Sequence, residues 1–573
     1  MQKITTGVLI IGSGGAGLRT AIELKEKGIE DILIVGARKF DDAHTVLAAG
    51  GINAAMGVMD PNDNWQTHAV DTFLEAQQIS NPLLVEKLTK KAPEAIEDLL
   101  RFGAQFHRED DGRLTQRFFG AHSYKRTLFH GDTTGKEIIR VLVAQSNNLD
   151  VDFIEDLYIF ELIEKDGKVI GAAGINKVGE SVYISASKVV LATGGYSNIY
   201  RRSSSRNREN FGNGIHMAFM AGAELGDMEM VQFHPTGLVY PPSAEGSLIT
   251  EAVRAEGGLL KNNLGERFMK KYDPDKLELS TRDVVARANY QEIKMGNGSS
   301  NGGVYLDISS RTEEYLRSRL PAIYDKVMKM NGINLSKDAV EVAPTAHYSM
   351  GGIVIDKDTH QTSVEGLYAV GECTTGVHGA NRLGGNSLAE ILVFGKDLGT
   401  HLSQCDLSQK EIPESLISKI ESDIENISDG EESSNVLLRD TRDLMWRKVG
   451  IVKNMPELDS AIERLGEYSD RIEKNSIAIE TGKQEFIRKS HRLNSVIQLS
   501  LLIAQSAKLR KESRGSHYRT DYPNSNDEMR FNYIIKKEGD SYTTEKREIA
   551  EPTTEMKNAL GTISKTQNYV HLE

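Results

Sequence analysis

Gly12, Gly14 and Gly17, in the run Gly12-Ser13-Gly14-Gly15-Ala16-Gly17, are spaced as in a loop that can cradle phosphate. Gly12 permits a tight turn, Gly14 lets backbone approach an anion, and Gly17 lets a helix pack closely on a strand. Amide N–H groups at the start of the following helix then face the phosphates. That chemistry requires a strand before the glycines and a helix after them. The apolar run 8–11 precedes them, an amphipathic stretch follows to about residue 27, and a second apolar run, 31–35, reads as a parallel strand. The acid expected to bind a ribose at the end of that second strand is missing, since Gly36-Ala37-Arg38 stand there. Either the ribose is held otherwise or the dinucleotide is not a nicotinamide one.

Composition narrows the class. The chain has 573 residues, 39% hydrophobic and 26% charged, as in an ordinary globular protein with a large core. Its length suggests roughly two to four domains. A net charge of −13, from 69 Lys+Arg against 82 Asp+Glu, disfavours nucleic acid as the main partner. Cys373 and Cys405 alone form neither a disulfide framework nor the ligand set of an iron–sulfur cluster, and fit a reducing compartment. No spacing of His, Cys and acids suggests a metal site. No apolar run is long enough to span a bilayer, so membrane attachment would go through a partner. The first strand begins so close to Met1 that no secretory signal is expected.

Along the chain, Asp60-Pro61-Asn62-Asp63 reads as a turn and a helix follows from about Trp65. Asn81-Pro82 starts a helical span that Gly103 stops, with Pro93 expected to divide it into two helices. Residues 151–190 alternate around Lys165-Asp166-Gly167-Lys168, a hairpin signal within a β-meander. Val189-Val190-Leu191-Ala192-Thr193-Gly194-Gly195 returns a core strand to a glycine turn, and Gly366-Leu367-Tyr368-Ala369-Val370-Gly371-Glu372 is a strand ending in an acid. Polar residues 428–434 read as a linker. Beyond them Leu493, Val496, Ile497, Leu501 and Ala504 share a helical face, with Lys508, Arg510 and Lys511 at the end where the dipole favours cations. The polar stretch after Asp521 is expected to wrap the surface as a tail.

Asp42-Ala43-His44-Thr45 with Ala49-Gly50-Gly51-Ile52-Asn53 resembles the flavin-attachment segment of succinate dehydrogenase and fumarate reductase flavoprotein subunits, and similar motifs continue along nearly the whole chain. The family usually has Arg-Ser where Asp42-Ala43 stand. The resemblance implies an α/β fold: a Rossmann-like FAD-binding domain (1–231 and 349–428), an inserted α+β capping domain for substrate (232–348), a helical domain (429–520) and a C-terminal segment (521–573). It implies FAD, tethered through His44, with Gly12, Gly14, Gly15, Ala16, Gly17, Thr45, Gly50, Gly51, Ala192, Thr193, Gly194, Glu372, Asn386, Ser387 and Leu388 also at the cofactor. His234 in Phe233-His234-Pro235-Thr236-Gly237, Thr250, His347 and Arg382 match substrate-binding positions. Arg282 in Thr281-Arg282-Asp283 matches the residue thought to move the proton, with Glu251 and Arg254 as its relay.

The chemistry of that set suits a four-carbon dicarboxylate. Arg382 can grip one carboxylate bidentately while His234, Thr250 and His347 donate to the acid groups, fixing the carbon chain for reaction. Succinate oxidation is hydride transfer from one methylene to flavin N5 with proton loss from the other, and fumarate reduction is the reverse. Arginine is ordinarily always protonated, so Arg282 as a base needs the relay. Taken singly, His234 could be a core histidine, Arg282 an ion partner of Asp283, and Glu251 a solvated charge. His122, His130 and His378 read as structural or flavin-adjacent. L-Aspartate oxidase is the nearest rival, but it uses a glutamate for the substrate ammonium where Phe119 stands, and a phenyl ring suits methylenes instead. A non-catalytic flavin scaffold would not need Arg282, Glu251 and Arg382 together. The expected partners are an iron–sulfur subunit with a membrane anchor behind it, the chain itself being peripheral on the cytoplasmic face of the membrane.

Overall fold

The computed structural model describes residues 1–39, 41–409, 411–425, 430, 432–473, 483–539 and 541–566. Its central sheet is built from β1 (Gln2–Ile11), β2 (Ile32–Val35), β3 (Asp152–Ile154), β4 (Tyr158–Lys165), β5 (Lys168–Ile175) and β6 (Ser181–Leu191) in the order β3-β2-β1-β6-β5-β4. The first four in that order run parallel, and β4-β5-β6 form the antiparallel meander. Val8, Leu9, Ile10 and Ile11 are all buried, because the parallel core is covered on both faces. Helix α1 (Gly15–Glu26) leaves β1 directly after the glycine loop.

Helices α2 (Trp65–Glu75), α3 (Pro82–Arg101) and α4 (Thr134–Asn148) follow β2 in sequence. Contrary to the expectation of two helices, α3 continues through Pro93. An interior proline costs about 3 kcal/mol, but Leu84, Leu88, Ala92, Ala95, Ile96 and Leu99 form one buried stripe in the core beside β1. Burying that stripe outweighs the lost hydrogen bond, since each large apolar side chain is worth roughly 1.5–3 kcal/mol.

The chain leaves the central sheet for a second, antiparallel sheet of β7 (Val231–Leu238), β8 (Leu259–Lys261), β9 (Val304–Asp307) and β10 (Val340–Ser349), ordered β7-β10-β9-β8 and backed by α5 (Arg282–Lys294). It returns with β11 (Leu367–Ala369) beside the last residues of β6, and α6 (Asn386–Leu402) then packs on α1. Gly395 and Gly399 make that contact close: a Cβ at either would come within 2.9 Å of α1 atoms. Helices α7 (Ser434–Lys448), α8 (Met455–Glu473) and α9 (Lys483–Leu509) form the helical region, with Leu493, Val496, Ile497 and Ala504 fully buried and Leu501 packed beside them. Of the linker expected at 428–434, residues 428, 429 and 431 lie outside the described residues.

The segment after Asp521 is not simply a surface tail. Strands β12 (Phe531–Glu538) and β13 (Ser541–Glu548) form a hairpin that extends a small sheet with Leu225–Gly226 and Gly352–Ile353, and α10 (Thr554–Thr566) packs on α2. Phe531, Tyr533, Ile534 and Ile535 are buried, an apolar core within the strand that the polar composition around it hides. Among the described residues no helix is long and apolar enough to cross a membrane.

Candidate functional site

One cleft runs from the glycine loop, between the two sheets, to the start of α6. Gly12 has φ +118°, and a Cβ there would lie 2.2 Å from the Ala192 carbonyl oxygen, so only glycine fits the turn. A Cβ on Gly17 would lie 2.1 Å from the Gly12 carbonyl, which is why the helix can start so close to the strand. No side chain caps α1 at Gly14, and Gly15 N–H donates to Thr45 Oγ1 at 3.2 Å. The start of α6, behind Gly385, is likewise without a side-chain cap, and Ser387 and Leu388 line the same cleft. Two helix N-termini thus converge on a glycine-walled groove, the features a dinucleotide diphosphate and an electron-rich ring require.

At the far end, Arg282 and Arg382 meet over one acceptor. Arg282 Nη1 and Arg382 Nη2 each donate to Gln232 Oε1 at 3.0 Å, while Gln232 Nε2 donates to Asn381 Oδ1 and the Arg382 carbonyl. Arg382 lies 4.3 Å over the Tyr348 ring, and its Nε is buried with no partner, a donor left for a ligand. Burial and the neighbouring Arg282 bring the Arg382 pKa down to about 10. Such a guanidinium is favoured by an incoming carboxylate.

His234 and His347 face each other edge to face, ring centroids 5.2 Å apart. His234 Nδ1 accepts from Thr236 N–H at 3.3 Å, which leaves the proton on Nε2. Burial, then the charge of Arg282, hold His234 well below the ordinary imidazole value, so it donates as a neutral ring. His347 pairs through Nδ1 with Ser204 Oγ at 2.8 Å and is pushed the same way by burial and Arg382. The pairing of β7 with β10 slips by one residue between Gln232↔Tyr348 and Phe233↔Ala346, making His347 the extra residue of a bulge. That bulge lets consecutive His347 and Tyr348 both line the cleft.

Arg282 does not pair with Asp283, which instead accepts from Arg287 at 2.8 Å. Its Nε donates to Glu251 Oε2 at 2.9 Å, and Arg254 Nη2 stands 3.8 Å from the same carboxylate. Glu251 is buried rather than solvated; burial would raise its pKa, but Arg282 and Arg254 more than offset it and keep it below the usual carboxylate value. Phe119 is buried with its ring 3.2 Å from where a Gly50 Cβ would be, and Gly384 leaves room for both Phe119 and Arg282.

His44 Nδ1 lies 3.0 Å from Glu209 Oε1 at the middle of the cleft. Glu372 accepts from Ser349 N–H at 3.2 Å, and Gly51, at φ +128°, turns the chain against Leu128. Of the candidate residues, Gly17, Arg254 and Asn386 do not line the cleft; the others do. Gly17 lies beneath the helix start and Arg254 behind Glu251. Asn386 ties elements together, with Oδ1 accepting from Asn53 at 2.7 Å and pairing with His68 at 2.9 Å. Gln232, Tyr348, Ser204 and Glu209 are site residues that the motifs did not single out. For Gln232 a signal existed: on a strand it shares the face of His234, two residues on.

A family profile described as "FAD binding domain" matches residues 7–388, and one described as "Fumarate reductase flavoprotein C-term" matches residues 439–560. One chain of the fumarate reductase (CoM/CoB) of Methanothermobacter marburgensis is 41% identical over 92% of this chain and 97% of its own. The succinate dehydrogenase flavoprotein subunit of Rickettsia bellii is 36% identical over 91% of each chain. The L-aspartate oxidase of Acinetobacter baylyi is 34% identical over 90% of this chain and 93% of its own. A solved FrdA chain of an E. coli quinol fumarate reductase, carrying a point mutation, superposes with a TM-score of 0.90 at 30% identity, covering 97% of this chain and 99% of that one.

Proposed function

The chain belongs to the succinate dehydrogenase and fumarate reductase flavoprotein family, an FAD-dependent oxidoreductase family, and from that premise we propose that it interconverts succinate and fumarate as the flavoprotein component of a larger complex. The observation that carries this reading is the pair of guanidiniums sharing Gln232, with the Nε of Arg382 buried and unpartnered, in a cleft that two neutral histidines also line. FAD supplies the two-electron acceptor or donor at the ring. The residues of the chain do the rest. Arg382 binds one carboxylate, while His234, His347 and Thr250 hold the second and fix the carbon chain, so that orientation provides much of the rate. Phe119 packs on the methylenes and excludes water. Arg282 holds the proton beside the reacting carbon, and Glu251 with Arg254 carries it away.

In this reading residues 1–231 and 349–428 hold FAD and 232–348 close over the substrate, while 429–520 and 521–573 brace them. With only two cysteines, electrons would pass to an iron–sulfur subunit docked on a membrane anchor at the cytoplasmic face. The identity to a fumarate reductase named for CoM and CoB favours a second partner set, in which CoM and CoB stand where a quinone would. The flavin-site chemistry is the same in both.

Succinate-dependent reduction of an artificial dye by the purified chain tests the reading. Activity is expected in the wild type and a loss of roughly 100-fold or more in Arg282→Ala with FAD absorbance retained. Aspartate turnover with hydrogen peroxide formation would make the chain an aspartate oxidase; turnover of neither would leave a flavin scaffold.

A further inference from the structure

Glu209 belongs to no motif, yet it meets the ring of His44, with Nδ1 3.0 Å from Oε1. It is itself held by Arg206, whose backbone N–H and Nε donate to the same oxygen at 2.9 and 3.0 Å and whose Nη2 donates to the other at 3.1 Å. Arg206 also reaches back to the loop ahead of His44, donating to the Asp42 carbonyl at 2.8 Å and pairing closely with the Asp42 carboxylate. Asp42 is one of the two positions that depart from the usual Arg-Ser of the family. An acid there fits this network, because both Arg206 and Arg38 pair with it. Both His44 and Glu209 line the cleft.

We propose that Glu209 is the positioning residue for tethering FAD to His44: it accepts the Nδ1 proton's hydrogen bond, fixes the tautomer, and aims the Nε2 lone pair at the flavin 8α-methyl carbon. This rests on reading His44 as the tether. In the step, Nε2 forms a new C–N bond to the 8α carbon and one C–H bond of that carbon breaks. Its electron pair passes into the ring, and the methyl proton together with the Nδ1 proton completes a flavin reduced by two electrons. Fumarate, or dioxygen, then reoxidises it. Burial opposes charge on both partners, but their hydrogen bond outweighs it, holding His44 above the ordinary imidazole value and Glu209 down at about 2. A fixed carboxylate on one imidazole nitrogen sets the tautomer and supports the cation that forms on the other, the role an aspartate has behind a catalytic histidine.

Flavin-free chain incubated with FAD, then acid-precipitated at intervals, gives the tethering rate as fluorescence retained on the polypeptide. FAD absorbance before precipitation gives total binding. Glu209→Gln is expected to bind FAD normally and to tether it about 100-fold more slowly, with Glu209→Asp recovering part of the rate. The acid limb of the rate should also move to lower pH in Glu209→Gln, since the carboxylate that raises the His44 pKa is gone. Tethering by Glu209→Gln at the wild-type rate and pH profile overturns the proposal, as does its failure to bind FAD at all, which would make the side chain a brace for the loop. If the wild type releases all its FAD on acid, the tether at His44 falls and the proposal with it.

Discussion

At the scale of single residues, Gln232 decides how close two like charges can sit. Its Oε1 takes one hydrogen bond from Arg282 and one from Arg382, each 3.0 Å long. Hydrogen bonds from charged donors are worth about 1.5–3 kcal/mol each, so Gln232→Leu removes support from both arginines at once. The expected outcome is a KM for succinate raised roughly ten-fold or more with FAD content unchanged; an unaltered KM would show that the arginines hold their places unaided. The histidines lead to a pH prediction. Because burial and Arg282 hold His234 well below the ordinary value, it stays neutral as pH falls through the usual imidazole range, and succinate KM should carry no histidine limb between about pH 6 and 8. A limb there that His234→Gln abolishes would contradict the assignment. Gln232 was legible in principle, since strand alternation puts it beside His234. Tyr348 was not: alternation places it opposite His347, and only the bulge in β10 brings both to the cleft. Nothing in the local residue types marks that bulge.

At the scale of elements, the glycine loop, the parallel strands and the meander follow from apolar runs and turn residues, because each is set by neighbours in sequence. Pro93 misleads for the opposite reason, since what keeps α3 whole is its buried stripe and not its local propensity. Longer-range contacts were illegible. Asp132, just ahead of α4, accepts hydrogen bonds from Ala322 N–H at 3.1 Å and Ile323 N–H at 2.6 Å, the start of the helix Pro321–Asn331. A loop of the chain around the first sheet thus caps a helix 190 residues away in sequence and ties it to that sheet's side of the molecule. Arg117 braces that loop by stacking 3.5 Å from the Phe129 ring centroid and donating to the Gly131 carbonyl. Loss of such a cap costs about 1 kcal/mol. Asp132→Ala should therefore speed amide hydrogen exchange in residues 321–331 by roughly five-fold while leaving α3 and the central sheet protected; uniform protection throughout would mean that the cap is dispensable.

At the scale of the whole molecule, one buried arginine joins the helical region, the C-terminal hairpin and the domain that carries the glycine loop. The sequence places Arg510 among cations at a helix end, but α9 stops at Leu509 and Arg510 turns inward, fully buried, against Glu229 at 2.5 Å, Glu512 at 3.2 Å and Asp227 at 3.4 Å. Its guanidinium also donates to the Met529 and Phe531 carbonyls, which fixes the start of β12. Removing it leaves Glu229 and Glu512 buried with too little positive charge, an error that costs about 3–5 kcal/mol. Arg510→Met should lower the thermal midpoint strongly even with FAD bound. The acids also give the stability a definite pH slope. Burial and the adjacent Glu229 raise Asp227 to about 7, against 3.8 for an unhindered carboxyl. Folding then takes up a proton between those two values, so this group's contribution declines as pH rises through that window. Urea midpoints of the holoprotein measured near about pH 5 and about pH 8 should show a drop at the higher value in the wild type and a smaller one in Asp227→Asn, whose amide carries no charge to desolvate. A wild-type midpoint that climbs with pH, unchanged in the variant, would mean that Asp227 is ionised throughout and that Arg510 compensates it fully.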